Sequence, residues 1–498
     1  MRGKLFFLML ASLVLGACAK PASRPVLTIY HTNDIQGFYW ARPNGGNGNK
    51  ETGGLAVLKG MLDKQPAGFL LFDSGDSFSK TQEGQLGGLE NAVKLMNLLG
   101  YTAVTLSAAD FALGWDNMEA ALARADFYAV VSNIQNADGS QPKHIKKYIF
   151  LERGGIKTAV LGLASKKAFP RIQRNAGLKI NDELETLKAL IPLVREEGAD
   201  FIILLSSLGL ELGESQKPDD KTIAEEFPEI NLILGGNGDV SPAGAERISK
   251  TYITRAAPML FEAEKITISF NAKKQPSGFN YEQILLDKET FGEDDEASAV
   301  IAGLRASVKK ITGRRITTLP FALESYGDKS SALGVYTAQC IKRWASNDIG
   351  IINPDLFLQG FAAGALTEAD LVNAVPFNDR VMLVKMRGDE IKNALEHTLE
   401  AKNNWPQTAG LAVDYDPAAS FGSRIKKITV NGAPLRDGAL YSISTSDHIV
   451  AGGFGHNEFI NAFEFKNTDR TVRDILKWCL YRRKEFAAPQ LNQWKISP

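Results

Sequence analysis

Three carboxylates and one amide sit where an α/β protein places its chemistry. Asp34, Gln36, Asp76 and Asp239 each follow a short apolar run, in segments rich in Gly, Ser and Asn. Carboxylate and amide oxygens gathered at one point suit a hard cation, Ca²⁺ or Mg²⁺, better than Zn²⁺. Asp110 is a further candidate for that group. The competing reading makes Asp34 and Asp76 structural, bonding to backbone amides at strand ends. His448 and Phe454 form a second candidate group; they either line an apolar pocket or fill a domain interface. Trp40 and Trp115 carry the same two readings. The chain holds only five histidines in 498 residues. His31 is expected to be a packed or capping residue rather than a ligand.

These residues need elements to position them. Apolar runs occur at 26–30, 69–72, 103–106, 128–131, 157–163, 201–205 and 232–234, separated by helical patterns. Each is too short for a helix. Continuous apolar strands alternating with helices predict sheets covered on both faces. In such layers the chemistry lies in loops just past the strand ends. The acidic stretch 292–296 precedes a helical periodicity over 297–311, which predicts a linker helix. The Gly- and Asn-rich stretch 43–54 predicts a mobile loop.

Composition excludes some classes. Lys plus Arg and Asp plus Glu both number 57, so the formal net charge is zero. No basic stripe points to nucleic acid. Arg2 and Lys4 precede an apolar stretch at 5–15, too short to span a bilayer as a mature helix. Leu15-Gly16-Ala17-Cys18 then reads as a bacterial lipobox. Acylation of Cys18 would tether the protein to a membrane, with 19–25 as a flexible leash. Ala19 and Lys20 after the cysteine point to the outer membrane, by resemblance to enterobacterial lipoproteins. Cys340 and Cys479 lie in helix-like stretches; they are either buried thiols or a disulfide formed in an oxidising envelope.

His31-Thr32-Asn33-Asp34-Ile35-Gln36-Gly37 resembles the HTND-x-HG opening of the 5′-nucleotidase / periplasmic UDP-sugar hydrolase family, a two-domain branch of the metallophosphoesterases. Gly364-Ala365-Leu366-Thr367 with Asp370-Leu371, Val375-Pro376-Phe377 and Ala451-Gly452-Gly453 resemble motifs of its C-terminal domain, in family order. Residues 1–18 read as a lipoprotein signal peptide from that leader, and the resemblance implies a four-layer metallophosphoesterase sandwich at 25–295. A linker helix at 296–315 and an α/β 5′-nucleotidase C-terminal domain at 316–490 follow. It also implies two divalent metals about 4 Å apart, clamping one phosphoryl oxygen.

This sequence departs from the family at most of the ligand positions. Asp34 and the bridging Asp76 match. Gln36 replaces a histidine, Ala108 the Asn ligand and Ser207 another histidine; Asn237 and Asp239 replace a G-H-x-H pair. The family's catalytic histidine and its orienting aspartate correspond to Ala109 and Ala112. In the C-terminal domain Leu358 stands for a phosphate-gripping arginine. His448 takes one nucleobase-stacking position, and Phe454 the ribose-binding aspartate. The scaffold motifs are kept while the chemistry is removed. The expectation is therefore a catalytically degenerate envelope lipoprotein that binds a protein, a glycan or a small molecule. The alternative is a metal-dependent phosphoester hydrolase of nucleotides with a reorganised site.

Overall fold

The computed structural model describes residues 25–497, leaving out 45–49, 79, 112–113, 167–176, 211–217, 239–243, 400–404, 454–455 and 483–485. The leader, Cys18, Ala112, Asp239 and Phe454 therefore lie outside the described residues.

All seven apolar runs form strands. Val26–Thr32, Leu70–Asp73, Ala103–Val104 and Tyr128–Val130 run parallel in one sheet, which ends at Ile145–Lys146. Ile156–Leu163, Phe201–Ser206 and Leu232–Gly235 run parallel in a second sheet, extended by Thr251–Thr254. The two sheets face each other across an apolar layer. Leu27, Ile29, Leu70 and Phe72 meet Val160, Ile203, Leu205, Leu232 and Leu234 there. Burying each such side chain stabilises the fold by roughly 1.5–3 kcal/mol. Helices Leu55–Leu62, Leu89–Leu99 and Asp295–Thr312 cover the outer face of the first sheet. Glu183–Glu196 and Asp220–Glu226 cover that of the second. The result is a helix–sheet–sheet–helix sandwich.

A search for apolar runs misses further strands, among them the two longest of the described residues. Glu262–Phe270 and Pro276–Leu285 pair antiparallel with each other, and the first also pairs with Val26–Thr32. Pro276–Leu285 is the edge strand and Glu262–Phe270 the next one in, and in both polar residues are interspersed with apolar ones. The helix read at 297–311 spans Asp295–Thr312. Its acidic leader is functional in folding: the Asp294 carboxylate accepts from the Ala297 amide at 2.8 Å, capping the first turn. The ends of the expected 43–54 loop pair as a short hairpin, Arg42–Pro43 with Glu51–Thr52.

Beyond that helix lie a five-stranded and a four-stranded sheet and the pair Arg315–Leu319 with Gly364–Thr367. The motif at 364–371 has a plain physical role. Thr367 ends the strand and caps helix Glu368–Ala374 in a reciprocal capping box with Asp370. Helices Ala332–Ala345 and Val472–Arg482 are joined by a disulfide, Cys340–Cys479, with Cα atoms 5.9 Å apart. The pair is thus a disulfide and not two free thiols. The two halves meet through Gln82–Asn373 at 2.7 Å and Gln85–Arg473 at 2.6 Å. Among the described residues no helix is long and apolar enough to cross a membrane.

Candidate functional site

The carboxyl ends of the parallel strands of both sheets converge. The loops after Val26–Thr32 and Leu70–Asp73 are zipped together. The Asp34 amide donates to the Gly75 carbonyl at 2.9 Å, that of Gln36 to Asp76 at 2.8 Å and that of Gly37 to Ser77 at 3.0 Å. The second sheet closes onto them. Ser74 Oγ donates to the Leu234 carbonyl at 2.6 Å, and a Cβ on Gly236 would fall 2.6 Å from the Ser74 carbonyl oxygen. Only glycine permits that approach. Asp34, Gln36, Asp76 and Asn237 all have positive φ, between 49° and 60°. Left-handed backbone at non-glycine residues is costly and concentrates at functional sites.

Asp34, Gln36 and Asp76 are therefore brought together. Asp34 is buried and accepts from Asn33 Nδ2 at 2.7 Å and from the amides of Asn237 at 3.2 Å and Gly238 at 3.4 Å. Burial pushes its carboxyl up to about 6, against the opposing bond from Asn33. Gln36 Nε2 donates to Asp76 Oδ2 at 3.1 Å. Gln36 Oε1 is buried without a hydrogen-bond partner among the described residues.

The other positions singled out by the resemblance make local bonds. Asp110 lies beside the Asp76 loop. It accepts from the amides of Ser107, Asp76 and Ser77 at 2.8–2.9 Å, stapling the loop that carries Asp76. Burial, then the Asp76 charge, raise its carboxyl to about 7. Ala108 and Ala109 open the four-residue helix Ala108–Phe111. The Ser207 hydroxyl donates to the Leu163 carbonyl at 3.1 Å, and Asn237 Nδ2 to the Leu208 carbonyl at 3.3 Å. Among the described residues no three His, Cys, Asp or Glu side chains are arranged to hold a metal ion.

His31 is packed, as expected. Ser74 spends its proton on Leu234, so its oxygen accepts from His31 Nε2 at 2.9 Å. His31 Nδ1 lies 2.6 Å from Glu264, which also accepts from the Thr254 and Tyr281 hydroxyls. The ring and Glu264 form a fully buried pair. Trp115 stacks on Phe111 at 5.9 Å and Trp40 lies under Arg305 at 4.7 Å; both pack against the helix-side core.

In the C-terminal part the His448 ring lies against Gly453, where a Cβ would overlap it. His456 and His397 stand near it, unnoticed in the sequence because neither belongs to a motif. His397 Nδ1 is 2.7 Å from Glu458. His456 is buried, and desolvation, then the neighbouring His448 and His397, push it down to about 4. Arg255 and Asp220 also escaped the sequence reading. They form a buried pair at 3.3 Å beneath the 235–238 turn.

Comparison with known proteins fits this geometry. The sequence model for the 5′-nucleotidase C-terminal domain matches residues 303–463. The 5′-nucleotidase of Vibrio cholerae is 24% identical over 505 residues, covering 91% of this chain and 89% of its own. Protein UshA of Yersinia enterocolitica is 22% identical over 528 residues, covering 93% and 92%. The 303–463 segment belongs to the 5′-nucleotidase C-terminal domain family, and the chain is similar to 5′-nucleotidases over about nine-tenths of its length. The crystal structure of a 5′-nucleotidase precursor from Thermus thermophilus superposes with a TM-score of 0.63 at 20% identity, covering 95% of this chain and 99% of that one. A Staphylococcus aureus structure solved with alpha-ketoglutarate gives 0.75 at 17% identity, with the same coverage. The family's N-terminal metallophosphoesterase layers and C-terminal α/β domain are both present.

Proposed function

We propose that this 5′-nucleotidase-family protein is an envelope lipoprotein that has kept the fold and given up phosphoester hydrolysis, and that it works by binding. The observation that carries the reading is the bonding of the family's ligand positions. Asp34 is held by backbone amides, while Ser207 and Asn237 face backbone carbonyls. Ala108 and Ala109 offer no donor at all. Such a set does not fit a pair of divalent metals, which need several imidazole or carboxylate ligands converging on each ion. The domain division proposed is 25–295, a linker helix at 296–315, and 316–490.

The ligand class follows from what is missing. Leu358 is 56% exposed where a charge-assisted contact to phosphate would be needed. An uncharged small molecule in the cleft, or a protein or glycan partner in the envelope, fits better than a nucleotide. The second reading, a nucleotide hydrolase with a reorganised site, is favoured by the names of the relatives. A thermal-shift screen of uncharged metabolites separates the binding modes. A cleft ligand at 100 times its Kd should stabilise the wild type by about 2.7 kcal/mol and His448→Ala by less. A screen in which only nucleotides or phosphate esters raise the melting temperature would contradict the reading.

The anchor is tested separately. Cys18→Ser should move the protein from the membrane to the soluble fraction, and the wild-type N-terminus should carry lipid by mass spectrometry. Equal solubility of both, with no lipid on either, would remove the lipoprotein assignment.

A further inference from the structure

We propose that this protein forms a two-fold dimer by antiparallel pairing of strand Glu464–Thr471 with the same strand of a second copy, and that Glu464 and Lys466 set the register. The pairing is independent of what the cleft binds. The five-stranded sheet of the C-terminal part has Gln407–Ala409 at one edge and Glu464–Thr471 at the other. Among the described residues no strand pairs with the outer side of Glu464–Thr471. An open edge presents backbone donors and acceptors, a template for a further strand. The second half of this edge is blunted. Its ladder with Arg380–Arg387 shifts register there, and Asp469 has a φ of 54°. The amides of Asp469 and Arg470 turn to Asn467 Oδ1 and Thr468 Oγ1. The first half, 464–467, keeps a regular register with residues 382–385, and Glu464, Phe465 and Lys466 are exposed.

That regular stretch is complementary to itself. A two-fold axis through Phe465 sets Glu464 opposite Lys466 of the second copy, and Lys466 opposite its Glu464. Opposite charges directly across an antiparallel pair stabilise it, and like charges destabilise it. Lys385 stands opposite Glu464 one strand in and bonds it at 3.1 Å, so the row of charges alternates in sign across the junction. Moving the axis by one residue sets Glu464 against its own copy, or Lys466 against its own. The charges therefore select one register, and the bulge at 468–470 keeps the pairing to the first half. The other face of the strand is apolar. Side chains alternate across a sheet, so Phe463 and Phe465 share a face. Phe465 is paired with Val384, whose side chain lies in the core beneath that face. Phe463 is 66% exposed, Phe465 42%, and Ile460 in the preceding helical turn 39%. The two-fold axis brings these aromatic edges of the two cores side by side and takes them out of water.

Sedimentation velocity of the full-length Cys18→Ser protein over a wide concentration range gives the test. This parent should show a concentration-dependent dimer. Lys466→Glu and Glu464→Lys each set like charges against one another at two places, and each should weaken the dimer about tenfold or more. Mixed together, the two variants restore both opposite-charge pairs and should associate with each other. Phe465→Cys should cross-link to its own copy under mild oxidation, because directly opposed Cα atoms lie within disulfide reach. Phe421→Cys, at an aromatic residue 48% exposed outside this edge, should not. Circular dichroism shows which variants fold. If Glu464→Lys, which also gives up the Lys385 bond, does not fold, Lys466→Glu and the cross-link carry the test. A parent that stays monomeric at every concentration would overturn the proposal. So would a dimer that Lys466→Glu leaves intact, or two folded variants that stay apart when mixed.

Discussion

With AMP, UDP-glucose or a cyclic nucleotide, and with Mn²⁺, Co²⁺, Zn²⁺, Ca²⁺ or Mg²⁺ supplied, turnover should fall at least about 10⁴-fold below that of an ordinary 5′-nucleotidase. Two separate losses lead to that figure. A metal pair makes a nucleophile from water at neutral pH and neutralises charge on the transferring phosphoryl group. The resemblance puts Gln36, Ala108, Ser207 and Asn237 at metal-ligand positions, and the last two bond backbone carbonyls instead. Ala109 stands where the resemblance places a catalytic histidine, and removing a proton-transfer or charge-stabilising group alone costs about 10²–10⁴. The carboxylates that remain cannot compensate. Asp110 is consumed by three amides, and Asp34 is held by Asn33 and by two amides. Steady-state assays across the five metals decide the matter. Turnover near that of ordinary relatives, abolished by Asp76→Ala, would show that a reorganised site still works.

The layers of this protein were legible because burial on both faces writes itself into sequence. Phe201–Ser206 and Leu232–Gly235 are short, nearly continuous apolar runs buried along their whole length, the pattern of strands in a sheet covered on both faces. Glu262–Phe270 was not legible, since its alternation of Glu, Lys and Thr with apolar residues resembles a surface segment until its partners are known. The convergence of Asp34 with Asp76 followed from their places after parallel strands. The bonding of each carboxylate did not. Asp110 sits in the same motif as Ala108 and Ala109, yet its role as a loop staple depends on amides 30 and more residues away. Arg255 was invisible for a related reason. It belongs to no motif, and a buried arginine looks like a surface one until Gly238 and Asp220 are seen to close around it.

Loss of the Cys340–Cys479 bond should cost about 3–5 kcal/mol of stability, the upper part of the usual range for a disulfide. The bridge spans 139 residues, so it removes a large share of the unfolded chain's freedom. It also lies in a core. Both sulfurs are buried between helices Ala332–Ala345 and Val472–Arg482, among Tyr336, Ile341, Ile475 and Leu476. The effect should reach beyond that core. Helix Val472–Arg482 also carries Arg473, which donates to Gln85 in the N-terminal half and to Val375, Pro376 and Asn378 in its own. A loosened helix would therefore weaken the junction between the halves. Denaturant melts of Cys18→Ser protein with and without reductant, and of Cys340→Ala/Cys479→Ala, give the measurement. Alanine at both positions avoids burying a hydroxyl. Thiol titration of the unreduced, unfolded protein should find no free cysteine. Two titratable thiols, together with an unchanged denaturation midpoint on reduction, would refute the bridge. They would also withdraw the support it lends to folding in an oxidising envelope, since such bonds persist where thiols are not kept reduced.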